Sequence, residues 1–161
     1  TFNVSAGRYY HLFFDTKQCS FMLKIPDGIY YAIDGTVNKR GVWFIARRNI
    51  FPPTRYIPPL YFYVPPEAPS FDLTISSGAP IETAQGRVYD PNNNQVAVLN
   101  TANRPQDTAR ITCTQEQAGI WKIELSPAAT GTFEDVWIKF GNQLSGFISI
   151  ETDKILKILS R

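Results

Sequence analysis

Trp43 and Arg47 lie in the alternating run "GVWFIAR", and their side chains are of the types that bind sugars. In an extended strand, residues two and four apart point to the same side, so Trp43, Ile45 and Arg47 share one face. An indole offers a π face on which sugar C–H groups can stack, and a guanidinium donates hydrogen bonds to hydroxyl or anionic groups. The alternative is that Trp43 faces the core while Arg47 reaches out to solvent. The sequence leaves both orientations open.

Arg55 and Tyr56 lie midway between two proline pairs in "FPPTRYIPPL" and could extend this site. Paired prolines stiffen a segment, so its side chains lose less entropy on binding. We predict an exposed loop over residues 50–59, beside the strand that carries Trp43. We expect four ligand-binding side chains to line one concave face: Trp43, Arg47, Arg55 and Tyr56.

The other two tryptophans lie in alternating runs with different surroundings. In "EDVWIKF", Trp137 shares its face with Asp135 and Lys139, which places it on the solvent side as a further ligand-binding residue. In "GIWKIEL", Trp121 shares its face with Ile123, which predicts a core position.

Asp90, Asn92 and Asn94 in "YDPNNNQ" have the alternate spacing of a small calcium loop. Oxygen ligands at such positions can turn inward together, although a single carboxylate is little charge for Ca²⁺. A hairpin that begins at Asp-Pro accounts for the same residues. A structural Ca²⁺ held elsewhere is a further expectation, and the sequence does not choose among its candidate carboxylates: Asp15, Asp27, Asp34 and Asp72.

Residues for catalysis are sparse. His11 is the only histidine, which leaves little for a His-based triad or a multi-histidine metal site. The chain has no G-x-S-x-G, no glycine-rich phosphate loop and no C-x-x-C. Its carboxylates are scattered, so we expect no enzyme activity. Cys19 and Cys113 could form one disulfide or remain two buried thiols.

Composition excludes several classes of protein. The chain has 161 residues, of which 43% are hydrophobic, so it can bury a core. The net charge of +2 and the absence of long basic runs argue against nucleic-acid binding. No apolar run reaches the roughly 18 residues that a membrane span needs.

Short β-rich runs separated by turn residues recur along the whole sequence. The pairs Pro58-Pro59 and Pro65-Pro66 flank "LYFYV", and because proline cannot donate to a sheet, they mark the ends of one strand. The run "TDKILKILS" near the C-terminus could be a short helix or a last strand. We predict an all-β, antiparallel, jelly-roll-like β-sandwich with little or no helix. It would form one domain over residues 1–161, in which residues 1–59 are N-terminal strands and a proline-rich loop.

The segment "LYFYVPPEAPSFDLTI", the hairpin "VYDPNNNQVAVL" and the strand "GIWKIEL" carry a resemblance. Over roughly residues 60–150 the chain resembles β-sandwich accessory domains of secreted bacterial hydrolases, akin to pre-peptidase C-terminal and galactose-binding-like modules. One departure is Asn93 or Asn94 in place of the usual turn glycine, and asparagine tolerates positive φ.

The resemblance implies a non-catalytic partner of a catalytic domain in a longer, secreted or cell-surface bacterial protein. With the surplus of aromatic residues, it favours a carbohydrate-binding module for a polysaccharide or oligosaccharide. The alternatives are a structural domain that docks onto a catalytic domain or another protein, and a glycan-active enzyme.

Overall fold

The computed structural model describes residues 28–34, 41–48 and 54–155, and within these ranges the chain is all-β. Its one helical element there is a three-residue 3₁₀ turn, Gln115–Gln117. In the described part no helix is long and apolar enough to cross a membrane. The strands are β1 Ile33–Asp34, β2 Val42–Ile45, β3 Arg47–Arg48, β4 Arg55–Tyr56, β5 Leu60–Val64, β6 Ser70–Ser77, β7 Gln85–Tyr89, β8 Gln95–Asn100, β9 Gln106–Thr112, β10 Gly119–Ser126, β11 Asp135–Phe140 and β12 Phe147–Ile148.

Two four-stranded antiparallel sheets form a sandwich, as predicted. One sheet has the order β5-β10-β7-β8 and the other has the order β2-β11-β6-β9. Aromatic rings join the sheets: Phe62 of β5 lies edge-on to Phe71 of β6 at 5.7 Å, and Phe71 lies edge-on to Trp121 of β10 at 5.4 Å. The core therefore lies between the two sheets.

Strand β5 shows how the sequence produces the sandwich. Its residues alternate, with Leu60, Phe62 and Val64 buried and the two tyrosines between them partly exposed. The strand begins directly after one proline pair and ends directly before the next, which confirms that the prolines mark its ends.

Trp121 lies fully inside the core, which confirms its predicted place. A buried indole N–H needs an acceptor, and Trp121 Nε1 donates to the carbonyl of Gln117 at 2.7 Å. The tight turn before β10 thus supplies the hydrogen bond that this core position needs.

The predicted loop over residues 50–59 is wrong in its second half. Arg55–Tyr56 forms β4, which pairs with β3 so that Tyr56 lies opposite Arg47 and Arg55 opposite Arg48. The next residue, Ile57, is buried. Burial of this aliphatic side chain draws the segment onto the protein and favours a short two-stranded ribbon over a projecting loop.

Several predictions fall on residues outside the described ranges. They include the N-terminal β runs before residue 28, Cys19, and the last part of "TDKILKILS". The described beginning of that last run, up to Ile155, is a turn. Cys113 is a free, buried cysteine, and burial raises the pKa of its thiol.

Candidate functional site

Trp43 and Trp137 lie side by side on the outer face of the β2-β11-β6-β9 sheet. They are directly opposite each other in the β2–β11 pairing, and their rings stack with centroids 5.7 Å apart and planes 13° apart. Trp43 remains 48% exposed, so it points outward and not into the core. We call these two residues the tryptophan pair.

Alternation in both strands produces this arrangement. In β2, Val42 is buried whereas Trp43 and Ile45 are exposed; in β11, Val136 and Ile138 are buried on the opposite face from Trp137. The outer face predicted for Trp137 is therefore confirmed, and the structure decides between the two orientations that the sequence left open for Trp43. In the described part of the chain, β2 is the last strand of its sheet, so Trp43 has a strand neighbour only on the side of Trp137.

Gly41 allows β2 to approach β11 closely. Its φ is +91°, a region that favours glycine, and a β-carbon there would collide with the backbone carbonyl of Ile138. Because Ile138 is also the residue paired with Val42, this close approach lies next to the pairing that aligns the two indoles.

Polar side chains continue the row across the sheet from the tryptophan pair. Trp137 lies opposite Ser76 of β6, and Ser76 lies opposite Gln106 of β9. The outer face therefore carries two indoles followed by a hydroxyl and an amide. This combination offers a stacking surface with hydrogen-bonding groups beside it.

Carboxylates lie at one end of the tryptophan pair. Asp135, two residues before Trp137, accepts a hydrogen bond from the Trp43 side chain. Its neighbour Glu134 forms an ion pair with Arg55 at 2.6 Å between Oε1 and Nη1. Arg55, predicted to bind ligand directly, is thus already paired with an anion beside the site.

Glu82 joins these carboxylates from a distant part of the chain. A β-carbon placed on Gly78 would lie 2.5 Å from Glu82 Oε2 and 3.3 Å from Asp135 Oδ2, so both carboxylates flank the same glycine. Glu82 Oε2 is buried and has no hydrogen-bond partner among the described residues. We call Glu82, Glu134 and Asp135 the carboxylate cluster.

The electrostatics of the cluster follow from this crowding. Burial first, and then the negative charge of Asp135, raise the pKa of Glu82 above its ordinary value. Burial and the charge of Glu134 raise the pKa of Asp135, although the hydrogen bond from Trp43 and the charge of Arg55 oppose that shift. The anionic forms of both groups are therefore less favourable than in water.

No local pattern in the sequence predicts this cluster, because Glu82 lies far along the chain from Glu134 and Asp135. The turn after β6 brings Glu82 in: the Gly78 N–H donates to the Asp135 carbonyl at 3.2 Å, and Thr83 N–H donates to the Thr132 carbonyl at 2.8 Å. These contacts depend on tertiary pairing between segments far apart in the chain.

The other two predicted ligand-binding residues lie on the β3–β4 ribbon. Tyr56 is exposed, and its backbone pairs with that of Arg47. The side chain of Arg47 lies outside the described part of the structure. The structure thus brings the two indoles and Arg55 to one region, with Arg55 bound to Glu134.

Asp90 organises a hairpin turn. It is buried, and Oδ1 accepts hydrogen bonds from the N–H groups of Asn92 at 2.9 Å and Asn94 at 2.8 Å. Its Oδ2 accepts from the side chains of Asn94 at 3.1 Å and Gln117 at 3.2 Å. Burial alone would raise the pKa of Asp90, but these hydrogen bonds lower it overall.

The hairpin alternative therefore accounts for the residues that were weighed as a calcium loop. Asn93 has a φ of +63°, which confirms that asparagine takes the place of a turn glycine here. Across the described ranges, no group of three or more histidine, cysteine or acidic residues is arranged to hold a metal ion.

Comparison with known proteins adds no family assignment to this geometry. No model of a known protein family matches the chain. No curated protein matches it either.

Proposed function

We propose that this domain is a non-catalytic carbohydrate-binding module that holds a polysaccharide or oligosaccharide against the tryptophan pair. The observation that carries the proposal is the stacked pair of indoles on the outer face of a sheet, in which Trp43 is exposed and Trp137 is partly exposed. A large aromatic surface left in contact with water is costly unless it has a partner, and a sugar ring covers it with C–H groups.

The pair is also held in place before any ligand arrives. Each indole is stacked on the other, an arrangement worth about 0.5–1.5 kcal/mol beyond the area it buries, and Trp43 is further fixed by its hydrogen bond to Asp135. A surface that does not reorganise loses less entropy on binding. Ser76 and Gln106 would then orient the sugar hydroxyl groups.

A binding role fits the carboxylate cluster better than a catalytic one. Asp135 is engaged by Trp43, and Glu134 is engaged by Arg55, so both have structural partners. The resemblance to accessory domains of secreted hydrolases supports the rest of the proposal: the module would serve a polysaccharide-degrading protein at or outside the bacterial cell surface, next to a catalytic domain.

Affinity electrophoresis through gels that contain soluble polysaccharides tests this function. We expect one or more polysaccharides to retard the wild-type domain and to retard Trp43→Ala much less. Tyr30→Ala is the matched control, because Tyr30 is an aromatic residue that is 65% exposed, and its neighbour Tyr31 bonds to Glu151 and Lys154 beside the β1–β12 pair and not beside the tryptophan pair. Unchanged migration of the wild type in every gel, or equal retardation of Trp43→Ala, would contradict the proposal.

A protein-contact module is the second candidate, and Ile45 favours it. Ile45 is 57% exposed beside Trp43, and an aliphatic side chain adds apolar area that a sugar does not need. Under this function, Ile45→Ser would abolish binding to a catalytic domain of the parent protein. If the domain binds glycan, polysaccharide in the gel should retard Ile45→Ser as much as the wild type, and should retard Trp43→Ala much less.

A further inference from the structure

We propose that the glycan bound by the tryptophan pair is cationic: a polymer of amino sugars that carry free ammonium groups. This inference rests on the proposed function and adds the charge class of the ligand to it. It follows from the charges that lie around the two indoles.

The carboxylate nearest to the pair belongs to Asp135, which accepts a hydrogen bond from Trp43. Glu134 is adjacent in sequence, and Glu82 flanks the same glycine as Asp135. Three carboxylates thus meet at one end of the tryptophan pair.

Positive charge near these groups is largely neutralised in the described structure. Arg55 forms an ion pair with Glu134 at 2.6 Å and acts on Glu82 and Asp135 only through its charge; within the described ranges neither of these two carboxylates forms an ion pair of its own. Lys139 is exposed on the same face of β11, but it lies on the far side of Trp137 from Asp135. The described side chains at this end of the pair therefore carry a net negative charge.

The perturbed pKa values of Glu82 and Asp135 agree with this geometry. Burial and neighbouring carboxylates raise both of them, so both anions lack full compensation in the free protein. An incoming ammonium group would supply that compensation.

An indole face attracts a cation as well, through the negative charge of its π system. An ammonium group on a sugar ring would lie next to the indole while the ring C–H groups stack on it. An N-acetylated ring presents the same C–H groups without the charge. The net charge of +2 on the whole chain repels cations at long range, so a preference for a cationic glycan must come from this local surface.

Three soluble polymers with one type of backbone and different charge make the test: neutral glycol chitin, cationic glycol chitosan and anionic carboxymethyl chitin. Affinity electrophoresis is run at pH about 6, where many amino groups of the polymer are protonated, and is repeated at pH about 7, where a carboxyl group with a raised pKa is more fully ionised. We expect glycol chitosan to bind the wild type about three- to tenfold more tightly than glycol chitin, and carboxymethyl chitin to bind weakest.

Two charge-neutralising variants locate the effect. Asp135→Asn keeps an oxygen that can accept the Trp43 hydrogen bond, and we expect it to lower the ratio of glycol chitosan affinity to glycol chitin affinity severalfold. Glu116→Gln removes the same charge from the turn beyond the far end of β9, roughly 20 Å from the row that contains the tryptophan pair. We expect Glu116→Gln to leave the preference unchanged.

The possible outcomes distinguish failure of the cationic-glycan inference from failure of the carbohydrate-binding function. Retardation by neutral or anionic polysaccharides that equals or exceeds retardation by glycol chitosan overturns the inference and leaves the carbohydrate-binding function standing. Equal effects of Asp135→Asn and Glu116→Gln, or equal binding of glycol chitosan to Trp43→Ala, show unspecific charge attraction and overturn the inference. Failure of every polymer to retard the wild type overturns both.

Discussion

Single residues in this domain combine structural and electrostatic roles, and Asp135 shows how. Its side chain accepts a hydrogen bond from the indole of Trp43, yet its charge raises the pKa of Glu82, a carboxyl group that flanks the same glycine. A stabilising hydrogen bond and a destabilising like-charge contact thus meet on one residue. The proposed cationic ligand would leave the hydrogen bond to Trp43 in place and would reduce the repulsion between the carboxylates.

Glu82 provides a test of what it costs to hold a partly buried charge beside Asp135. Its folded-state pKa is raised, so between the ordinary and the raised value the folded state binds more protons than the unfolded state, and stability falls as pH rises. We expect Glu82→Gln to raise the melting temperature at pH 7 by roughly 1–3 °C. The gain should vanish below the ordinary carboxyl pKa, where Glu82 is protonated in both states. A melting temperature that falls at pH 7 would show that the charge is compensated.

Asp90 is expected to act in the opposite direction. Its folded-state pKa is lowered, so its contribution to stability is present above its ordinary pKa and is lost as pH falls through the folded value. We expect Asp90→Ala, which removes the acceptor of four hydrogen bonds, to lower the free energy of unfolding by about 2–4 kcal/mol in urea denaturation at pH 7.

Asp90→Asn is the matched variant, because it keeps one oxygen for the two backbone N–H groups and should cost less than Asp90→Ala. Calcium distinguishes the hairpin from the metal loop that its spacing also suggested. If calcium raises the melting temperature and Asp90→Ala abolishes that rise, the result would support the calcium loop over the plain hairpin.

At the scale of elements, the approach of β2 to β11 aligns the tryptophan pair. Two glycines allow a matched comparison, since Gly41 and Gly28 both have positive φ but only Gly41 lies against backbone. We expect Gly28→Ala to cost about 1 kcal/mol of strain. We expect Gly41→Ala to cost clearly more, because the added methyl group meets the backbone at Ile138, and to weaken glycan binding as well.

Urea denaturation of both variants, with affinity electrophoresis on the polysaccharide that retards the wild type, checks this expectation. Equal losses of stability would mean that the close approach at Ile138 contributes nothing. If Gly41→Ala is destabilised but binds the polysaccharide as tightly as the wild type, the alignment of the indoles does not depend on the close approach at Ile138.

Local patterns predicted the elements well where the determining forces are local. Alternation assigned the faces of Trp121 and Trp137, and proline pairs marked the ends of β5, because both effects act within a few residues. For Trp43, alternation grouped it with Ile45 and Arg47 but did not decide which side of the sheet they face. The ribbon of β3 and β4 was missed because two-residue strands carry no periodicity.

The composition of the candidate site could be predicted only in part. Trp43 and Trp137 were each expected on an outer face, but their stacking depends on the register between strands far apart in the chain, which no local pattern specifies. The meeting of Glu82 with Asp135 has the same origin. Arg55 was expected to face a ligand and is paired with Glu134, since an arginine and a carboxylate on neighbouring segments bind each other first.

At the scale of the whole molecule, the sandwich separates its three tryptophans into one core residue and one surface pair. Each indole N–H gives its own signal in a proton–nitrogen NMR spectrum, so the protein carries an internal control. Trp121 donates to a backbone carbonyl inside the core, whereas Trp43 bonds to Asp135 at the surface.

Titration of isotope-labelled protein with the polysaccharide that retards it tests the central claim most directly. The account predicts that the indole signals of Trp43 and Trp137 shift together as the glycan is added, with one dissociation constant, while the signal of Trp121 stays in place. Saturating glycan that leaves both surface indole signals unmoved would contradict the claim that the tryptophan pair is the binding site.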